Sequence, residues 1–348
     1  MSSTIEKKID SFDKKLIYDI FHNDQGKLII IMPQAIAPPD IKYIHSTKKP
    51  PGTFNLIRCP DKHIFVYQSR MEHQYKTYFQ LIINDNERFS VKVNKYPEFK
   101  DEILMSTMVY NEDDYIRQWI NFHLNLGVTR FIIYDNSKVL DERLSYKSIE
   151  KTSNLKKVLS DFIEKEIVLL IDWPYPKRLH SSFLNRLTIS GQTSAQNHSI
   201  YAFKNSKYIG LFDIDEYVNI QTSDSNINDF FDNFIKEKKI NINKTGSFVL
   251  NEKKFYNPDE LPTNGYNFLK IYTCDQITEN GQEKNFVIPK NCGMFSVHLL
   301  HYGEASRKIP NNRIYFNHYY YLNKEGRGRE KRGNRDTSIQ KHTNFIPE

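Results

Sequence analysis

The chain has 348 residues, of which 39% are hydrophobic, 26% charged and 14% aromatic. This composition is typical of a soluble globular protein, and the length suits one large domain or a core domain with an appendage. The three cysteines, Cys59, Cys274 and Cys292, are far apart in sequence. Their spacing argues against a disulfide framework or a structural zinc site and fits a reducing compartment.

The formal net charge of +7 is concentrated near the end of the chain. The segment KEGRGREKRGNRDTSIQK, residues 324–341, holds seven basic and three acidic side chains, so the main body is close to neutral. Clustered Arg and Gly can bind a phosphate backbone, whereas a solvated C-terminal tail has the same composition. We treat residues 324–348 as a basic tail and do not expect nucleic acid as a partner, because the rest of the chain is close to neutral in net charge.

The start of the chain alternates charged and apolar residues and lacks the basic-then-apolar order of a signal peptide. The apolar run LIIIM, at residues 28–32, is far shorter than a membrane span. We therefore expect a cytoplasmic protein of bacterial or viral type with no transmembrane segment; peripheral membrane association stays open.

The sequence pattern changes near residue 98, from short β-type runs to alternating strands and helices. Residues 1–25 are predicted to form a charged helix, and residues 27–98 contain short β-type runs separated by turn formers, so we predict an N-terminal β-rich region over residues 1–98. Residues 99–323 alternate between apolar strands and amphipathic helices, which predicts an α/β domain with a parallel sheet covered on both faces.

Within this α/β domain, polar residues repeatedly follow apolar strands. ILMSTMVY is followed by a helix from Asn111 to Gly127, with Glu112 in its first turn, and VTRFIIYDNS ends in Asp135 and Asn136. Ligands of open α/β sheets bind outside the carboxyl ends of the strands. Asp135 and Asn136 can accept hydrogen bonds from a nucleobase or a ribose, although an Asx turn has the same sequence signal.

The stretch YIGLFDIDEYVNI places Asp213, Asp215 and Glu216 in an apolar, β-prone run. In a continuous strand, Asp213 and Asp215 would point to the same side. Two carboxylates at the mouth of a sheet form an oxygen-rich site for Mg²⁺ or Mn²⁺, and such an ion with bound phosphate oxygens would compensate their charge.

An ordered set of motifs resembles the glycosyltransferase family 92 (DUF23-like) group. The set comprises VYNEDDYIRQWINFHLNLGVTRFIIYDNS, Q-x-x-A-Q-N-H from Gln192, LFDIDEYV, KNFVIP, SVHLLH and NHYYY. The resemblance implies the GT-A fold, a Rossmann-like nucleotide-sugar-binding domain that this group shares with glycosyltransferase family 2. It also implies a UDP-sugar donor, a hydroxyl acceptor on a glycan or glycoconjugate, and an inverting outcome.

The resemblance assigns roles to individual positions of this sequence. It implies that Asp213, Asp215 and His298 hold Mn²⁺ or Mg²⁺. It implies that the donor nucleotide sugar is contacted by Asn111, Glu112, Asp135, Lys284 and His318. His318 has a second interpretation, in which it fixes the C-terminal segment.

The catalytic base and the acceptor stay open. An inverting transferase needs a carboxylate to activate the acceptor hydroxyl, and the candidates in the interval after the D-x-D are Glu252, Asp259, Glu260 and Asp275. The family's Trp and Gly near the acceptor are replaced by Glu252 and Tyr256, and Tyr110 stands where the family has Arg. The acceptor is therefore not inherited from the family.

A second enzyme class also uses a D-x-D motif: a metal-dependent phosphoryl-transfer hydrolase with Asp213 as a covalent nucleophile. That class predicts a Ser/Thr motif and a well-placed Lys after the aspartates, where this chain offers only QTSDS from Gln221. It also leaves FIIYDNS without a role, so the transferase is favoured.

Overall fold

The computed structural model describes residues 4–5, 17–33, 38–44, 51–60, 64–85, 87–110, 112–137, 154–175, 179–180, 188–255, 273–274, 282–319 and 334–343. Within these ranges the protein is rich in strands and has five α-helices and three short 3-10 helices. None of these helices combines the length and apolar character that crossing a bilayer requires.

Nine strands precede residue 98: β1 (Thr4–Ile5), β2 (Asp19–His22), β3 (Lys27–Pro33), β4 (Ile41–Ile44), β5 (Gly52–Arg58), β6 (Ile64–Glu72), β7 (Tyr78–Ile83), β8 (Glu87–Lys92) and β9 (Asn94–Lys95). All but β1 form one sheet in the order β8-β7-β4-β5-β6-β3-β2-β9, and every pairing except β2 with β9 is antiparallel. The predicted β-rich segment is therefore a single N-terminal sheet.

The predicted helix over residues 1–25 is wrong where the structure describes that segment. Residues 4–5 and 19–22 are strands, and β2 pairs with β3 from Asp19–Ile31 to His22–Leu28. The sequence DIFH is buried throughout. It pairs with the apolar strand β3 on one side and β9 on the other, so tertiary pairing overrides the local helical pattern.

The later strands are β10 (Ile103–Val109), β11 (Arg130–Asp135), β12 (Val168–Asp172), β13 (Leu179–His180), β14 (Thr188–Ile189), β15 (Tyr208–Leu211), β16 (Glu216–Ile220), β17 (Thr245–Leu250), β18 (Glu252–Phe255), β19 (Thr273–Cys274), β20 (Lys284–Val287), β21 (Cys292–Ser296), β22 (Leu299–Gly303), β23 (Ala305–Lys308), β24 (Ile314–Tyr319) and β25 (Asn334–Arg335). The helices are α1 (Asp113–Asn125), α2 (Leu155–Val158), α3 (Ser160–Glu164), α4 (Gly191–Ala202) and α5 (Ile227–Glu237).

The central sheet has the order β1-β12-β11-β10-β15-β20-β17-β23. Strands β12, β11, β10 and β15 are mutually parallel, as the alternating pattern predicted, while β20 pairs antiparallel with both β15 and β17. Alternate residues of β10 enter two different cores: Met105 joins the core beneath α1 and α5, and Leu104 joins the core beneath α4 and the N-terminal sheet. Burial on both faces explains why these strands are nearly continuously apolar.

A second sheet, in the order β16-β24-β18-β19-β25, stands beside the central one, and β13–β14 and β21–β22 form two-stranded ribbons. Strand β16 follows β15 after a four-residue turn and pairs with β24 from Glu216–His318 to Ile220–Ile314. This register brings the end of the LFDIDE motif next to His318.

Helix α1 begins and ends close to the predicted positions. Trp119 and Ile120 are fully buried, and Gly127 has φ +85°, the left-handed conformation that ends a helix. Helix α4 is preceded by the short strand β14 and ends at Ala202, before the turn that leads to β15.

The N-terminal sheet is joined to the central domain by a buried polar network. Asp19 of β2 accepts hydrogen bonds from the Tyr96 hydroxyl at 2.6 Å and from Asn94 at 2.7 Å, and its Oδ2 lies 2.8 Å from Nε2 of His198 in α4. The other His198 nitrogen lies 2.7 Å from the hydroxyl of Tyr134 in β11. The network therefore links the β-rich region to helix α4 and strand β11 of the central domain.

Candidate functional site: a carboxylate, lysine and histidine cluster

The carboxyl ends of the parallel strands meet at one edge of the central sheet. Val109 lies opposite Asp135, and Asp135 lies opposite Asp172, so the segments after β10, β11 and β12 leave the sheet at the same level. Strand β15 ends at Leu211, and Asp213 follows it at this edge. The sequence prediction that polar residues collect at the carboxyl edge is therefore confirmed for Asp135 and Asp213.

Asp213 and Asp215 lie in a turn between β15 and β16, so the prediction that they share one face of a continuous strand is wrong. The backbone N–H of Glu216 donates to the Asp213 carbonyl at 3.1 Å, and the Glu216 carboxylate accepts from the Asp213 N–H at 2.9 Å. This reciprocal pair of bonds closes the turn, and it directs the two aspartates toward different partners.

Lys284, at the start of β20, is the partner of Asp213 and Glu216. Its ammonium lies 2.8 Å from Asp213 Oδ2 and 2.9 Å from Glu216 Oε2, and the lysine is 1% exposed. Burial disfavours the charged lysine, but the two carboxylates outweigh it and hold the pKa of Lys284 above its usual value.

His318, near the end of β24, is the partner of Asp215 and Glu252. Its Nε2 lies 3.3 Å from Asp215 Oδ2, and its Nδ1 lies 2.5 Å from Glu252 Oε1. Burial opposes a charge on this imidazole, but Asp215 and then Glu252 hold the pKa of His318 well above its usual value. Glu252, at the start of β18, is itself buried and also accepts from the Gln282 N–H at 3.2 Å.

Glu216 is fully buried at the centre of the cluster. Burial raises the pKa of its carboxyl, which the Lys284 charge partly offsets. While Oε2 accepts from Lys284 and the Asp213 N–H, Oε1 is buried with no hydrogen-bond partner in the described part of the chain. An unsatisfied carboxylate oxygen in a buried site is costly and calls for a cation or a proton donor.

The cluster suits a divalent cation by its atoms and by its charge. Among the described residues, Asp215, Glu216 and His318 each offer one ligand atom within 4.8 Å of the others. Two carboxylate oxygens and one imidazole nitrogen are ligands that Mn²⁺ accepts. Four carboxylates of the described cluster face the cations Lys284, His318 and Lys254, the last 3.6 Å from Glu252, so negative charge remains even when His318 is protonated.

His298, which the family resemblance assigned to the metal, is not a member of this three-residue group. Its Nδ1 bonds the Glu283 carbonyl at 2.8 Å. Burial and the nearby Lys284 lower the pKa of His298, which favours its neutral form. The structure thus brings His318, rather than His298, into contact with Asp215.

The remaining predicted residues fall into two sets. Glu112 is half-buried immediately before α1, and Asp135 accepts from the backbone and hydroxyl of Ser137 at 3.0 and 2.5 Å in an Asx turn. Asp135 therefore forms the Asx turn that was the alternative interpretation of DNS. Both of these hydrogen bonds are accepted by Oδ1 of Asp135, so its Oδ2 does not take part in the turn. The other set lies outside the described residues: Asn111, Asp259, Glu260 and Asp275.

Glu216 is the cluster residue to which the sequence assigned no role. It stands next to the D-x-D and is fully buried, and its register partner across β16–β24 is His318. A carboxylate that directly follows the D-x-D and begins the β-prone run EYVNI is the signal that pointed to it. The pairing of β16 with a strand about a hundred residues later cannot be derived from that local pattern.

The cluster of carboxylates, lysine and histidine lies at the carboxyl edge of the parallel strands β12, β11, β10 and β15, the position where α/β sheets bind ligands. Comparison with known proteins names the family. The sequence profile of glycosyltransferase family 92 matches residues 103–348. The chain therefore belongs to glycosyltransferase family 92.

Two curated relatives share part of the chain. A glycosyltransferase family 92 protein of Arabidopsis thaliana is 27% identical over 126 residues, which is 36% of this chain and 18% of the relative. A glycosyltransferase family 92 protein of Ricinus communis is 24% identical over 119 residues, 34% of this chain and 16% of the relative. The matched segments thus span less than a fifth of each relative's length.

Proposed function

We propose that this protein is a metal-dependent glycosyltransferase of the GT-A type, which transfers a sugar from a UDP-sugar to a hydroxyl group of a glycan or glycoconjugate with inversion. The single observation that carries the proposal is the Asp215–Glu216–His318 group at the carboxyl edge of the sheet. Family membership supports the transferase class. The parallel order β12-β11-β10-β15 supports the GT-A assignment for residues 99–323.

In this proposal Asp215, Glu216 and His318 hold Mn²⁺ or Mg²⁺. The bound ion supplies Lewis-acid compensation for the diphosphate leaving group. Because Nδ1 of His318 faces Glu252, the imidazole presents Nε2 toward Asp215, and Glu252 fixes both the ring orientation and its tautomer. Metal binding requires a neutral imidazole, so the proton on His318 competes with the ion.

Lys284 and Asp213 have a second task in the same mechanism. Lys284 is buried and ionised next to Asp213, whose side chain is 43% exposed, so the pair lies at the border between the protein and the open side of the site. A phosphate oxygen of the donor can be bound by the Lys284 ammonium when Asp213 turns toward ribose or sugar hydroxyls. Glu112 and Asp135 occupy the adjacent strand ends, in keeping with nucleoside contacts.

The base that deprotonates the acceptor hydroxyl is proposed among Asp259, Glu260 and Asp275. Glu252, the fourth candidate, has both carboxylate oxygens engaged, by His318 on one side and by Gln282 and Lys254 on the other. The His318 hydrogen bond and charge outweigh burial and keep the pKa of Glu252 below its usual value. Because Glu252 is buried and both of its oxygens have partners, it is better placed to orient His318 than to remove a proton from a bulky acceptor.

The test is a calorimetric titration of UDP and a panel of UDP-sugars with and without Mn²⁺, using wild type and Asp215→Ala. Binding that requires both Mn²⁺ and Asp215 supports the proposal, and the tightest ligand identifies the donor. Binding of every nucleotide sugar without metal, or of none in any condition, refutes it.

A further inference from the structure

A small cavity opens beside the D-x-D turn, on the face of the central sheet that α4 covers. It is lined by residues of β10, β11, α4 and the end of β15: Ser106, Thr107, Met108, Tyr134, Gln192, Ala195, Gln196, Leu211, Phe212 and Asp213. Its volume is about 10 Å³. A space of roughly 10–15 Å³ is what one water-sized group requires, so the cavity is of the size that suits one hydroxyl or water.

Gln196 lines this cavity and has a buried side-chain oxygen without a hydrogen-bond partner among the described residues, as does Thr107 in the same lining. The side chain is 8% exposed, and its Nε2 donates to the Val297 carbonyl at 3.3 Å. That bond identifies Oε1 as the other amide atom, and Oε1 is buried with no hydrogen-bond partner among the residues that the structure describes. A buried amide oxygen of this kind requires a donor group for its satisfaction.

Helix α4 is held in place by buried hydrogen bonds of the residues next to Gln196. Gln192, Ala195 and Gln196 are spaced three and four residues apart, so they share the helix face that lines the cavity. The next residue, Asn197, bonds the Phe295 backbone in both directions, at 2.6 Å to the carbonyl and 3.0 Å from the N–H. His198 ties the same turn to Asp19 and Tyr134.

We propose that this cavity receives one hydroxyl group of the transferred sugar, which donates its hydrogen bond to Gln196 Oε1. The inference rests on the proposed function, because the cavity adjoins Asp213 and hence the expected position of the donor diphosphate. A hydroxyl matches the single-atom volume and supplies the missing donor. An acetamido group at the same sugar carbon is too large, so Gln196 selects a free hydroxyl at that carbon.

The test uses UDP-glucose and UDP-galactose, their monodeoxy and monodeoxy-fluoro analogues, and Mn²⁺, with dissociation constants measured by calorimetry. In wild type, replacing one particular hydroxyl by hydrogen is expected to weaken binding about tenfold, the typical effect of one lost hydrogen bond. Fluorine at the same carbon should weaken binding equally, because fluorine accepts but does not donate. Full affinity of every deoxy analogue, or rescue by fluorine, overturns the inference, and neither outcome depends on a variant that folds.

Gln196→Met adds the matched variant, since methionine has similar length and lacks the acceptor. We expect it to bind the parent sugar about tenfold more weakly, by loss of the same bond, and to bind the critical deoxy analogue as well as the parent. Gln221→Met, in a half-buried position where the glutamine bonds Asn219 at 2.8 Å, is the control and should retain the wild-type pattern. If Gln196→Met still binds the parent sugar more tightly than the deoxy analogue, as wild type does, this inference alone is refuted. Absence of any metal-dependent UDP-sugar binding in wild type refutes the proposed function.

Discussion

The ammonium of Lys284 lies 2.9 Å from the carboxylate of Glu216, and both side chains are withdrawn from solvent. A second carboxylate, that of Asp213, shares the same ammonium at 2.8 Å. The charge of the LFDIDE motif is therefore partly compensated within the protein before any ligand binds. The lysine and His318 divide the three carboxylates between them, and the residual negative charge is what a divalent ion would neutralise.

Replacement of Lys284 by methionine is expected to destabilise the fold strongly. It leaves Asp213 and Glu216 without their cation, and breaking a buried ion pair in this way costs about 3–5 kcal/mol of unfolding free energy. Urea denaturation in EDTA measures the loss. Lys308→Met, which removes an exposed pair with Glu283 at 2.8 Å, is the control and should cost below about 1 kcal/mol. Equal effects of the two substitutions would contradict the role of Lys284.

Replacement of Glu252 by glutamine should weaken Mn²⁺ binding without unfolding the protein. Glutamine has the same shape but no charge to hold the His318 imidazole, and loss of such a support typically weakens metal affinity roughly 10–100-fold. Competition against a fluorescent chelator gives the dissociation constant of Mn²⁺. Glu283→Gln is the control, because Glu283 pairs with Lys308 outside the three-residue group. A wild-type Mn²⁺ constant for Glu252→Gln would rule out the orienting role.

Replacement of Asp19 by alanine tests whether the N-terminal sheet and the central domain unfold together. The substitution removes the carboxylate that pairs with the buried His198 and accepts from Tyr96 and Asn94. We therefore expect the free energy of unfolding to fall by about 3–5 kcal/mol. Because β2 and α4 share this network, intrinsic fluorescence and circular dichroism should report one transition. Asp40→Ala, which affects an exposed pair with Lys42 at 3.3 Å, serves as the control. Two separated transitions in wild type would show that the regions are independent.

Stability should decrease on acidification because of His22. Burial, with smaller contributions from His73 and Lys95, lowers the pKa of His22 to about 4 from an ordinary 6.5. A depressed pKa means that the neutral imidazole stabilises the fold fully above pH 6.5 and that this stabilisation is lost as pH falls toward 4. At pH 5 this difference in pKa lowers the free energy of unfolding by about 2 kcal/mol.

The check for this pH dependence is urea denaturation of wild type and His22→Phe between pH 7 and pH 5. Phenylalanine keeps the aromatic contacts with Tyr75 and Phe79 but cannot titrate. The variant should therefore lose less stability than wild type over this interval. Identical slopes for the two proteins would show that His22 titrates equally in the folded and unfolded states.

The local patterns predicted the parts of the fold that depend on nearby residues. Helix α1 was recognisable because Ile116, Trp119 and Ile120 repeat at helical spacing and Gly127 ends the helix. The apolar runs of β10, β11 and β12 predicted the parallel sheet. By contrast, Asp19–His22 forms a strand because it pairs with β3, and no local signal encodes that pairing.

The sequence predicted that carboxylates gather at the ligand-binding edge, but it did not predict which histidine and which lysine contact them. The D-x-D identified a cluster of carboxylates, and its position after an apolar strand located that cluster at the ligand-binding edge. The choice between His298 and His318 depends on the β16–β24 register, which pairs Glu216 with His318 across a long sequence separation. The cation that partners Asp213 likewise comes from β20, an antiparallel strand that the strand–helix alternation does not predict.

The most direct test of the account is a Mn²⁺ titration in the presence of UDP, followed by electron paramagnetic resonance of free Mn²⁺, for wild type, His318→Ala and His298→Ala. The two histidines lie in the same part of the molecule, but only His318 contacts Asp215 among the described pairs. The account predicts at least about tenfold weaker Mn²⁺ binding for His318→Ala, in line with losses at metal-site residues, and wild-type binding for His298→Ala. Retained binding in His318→Ala with loss in His298→Ala would contradict it.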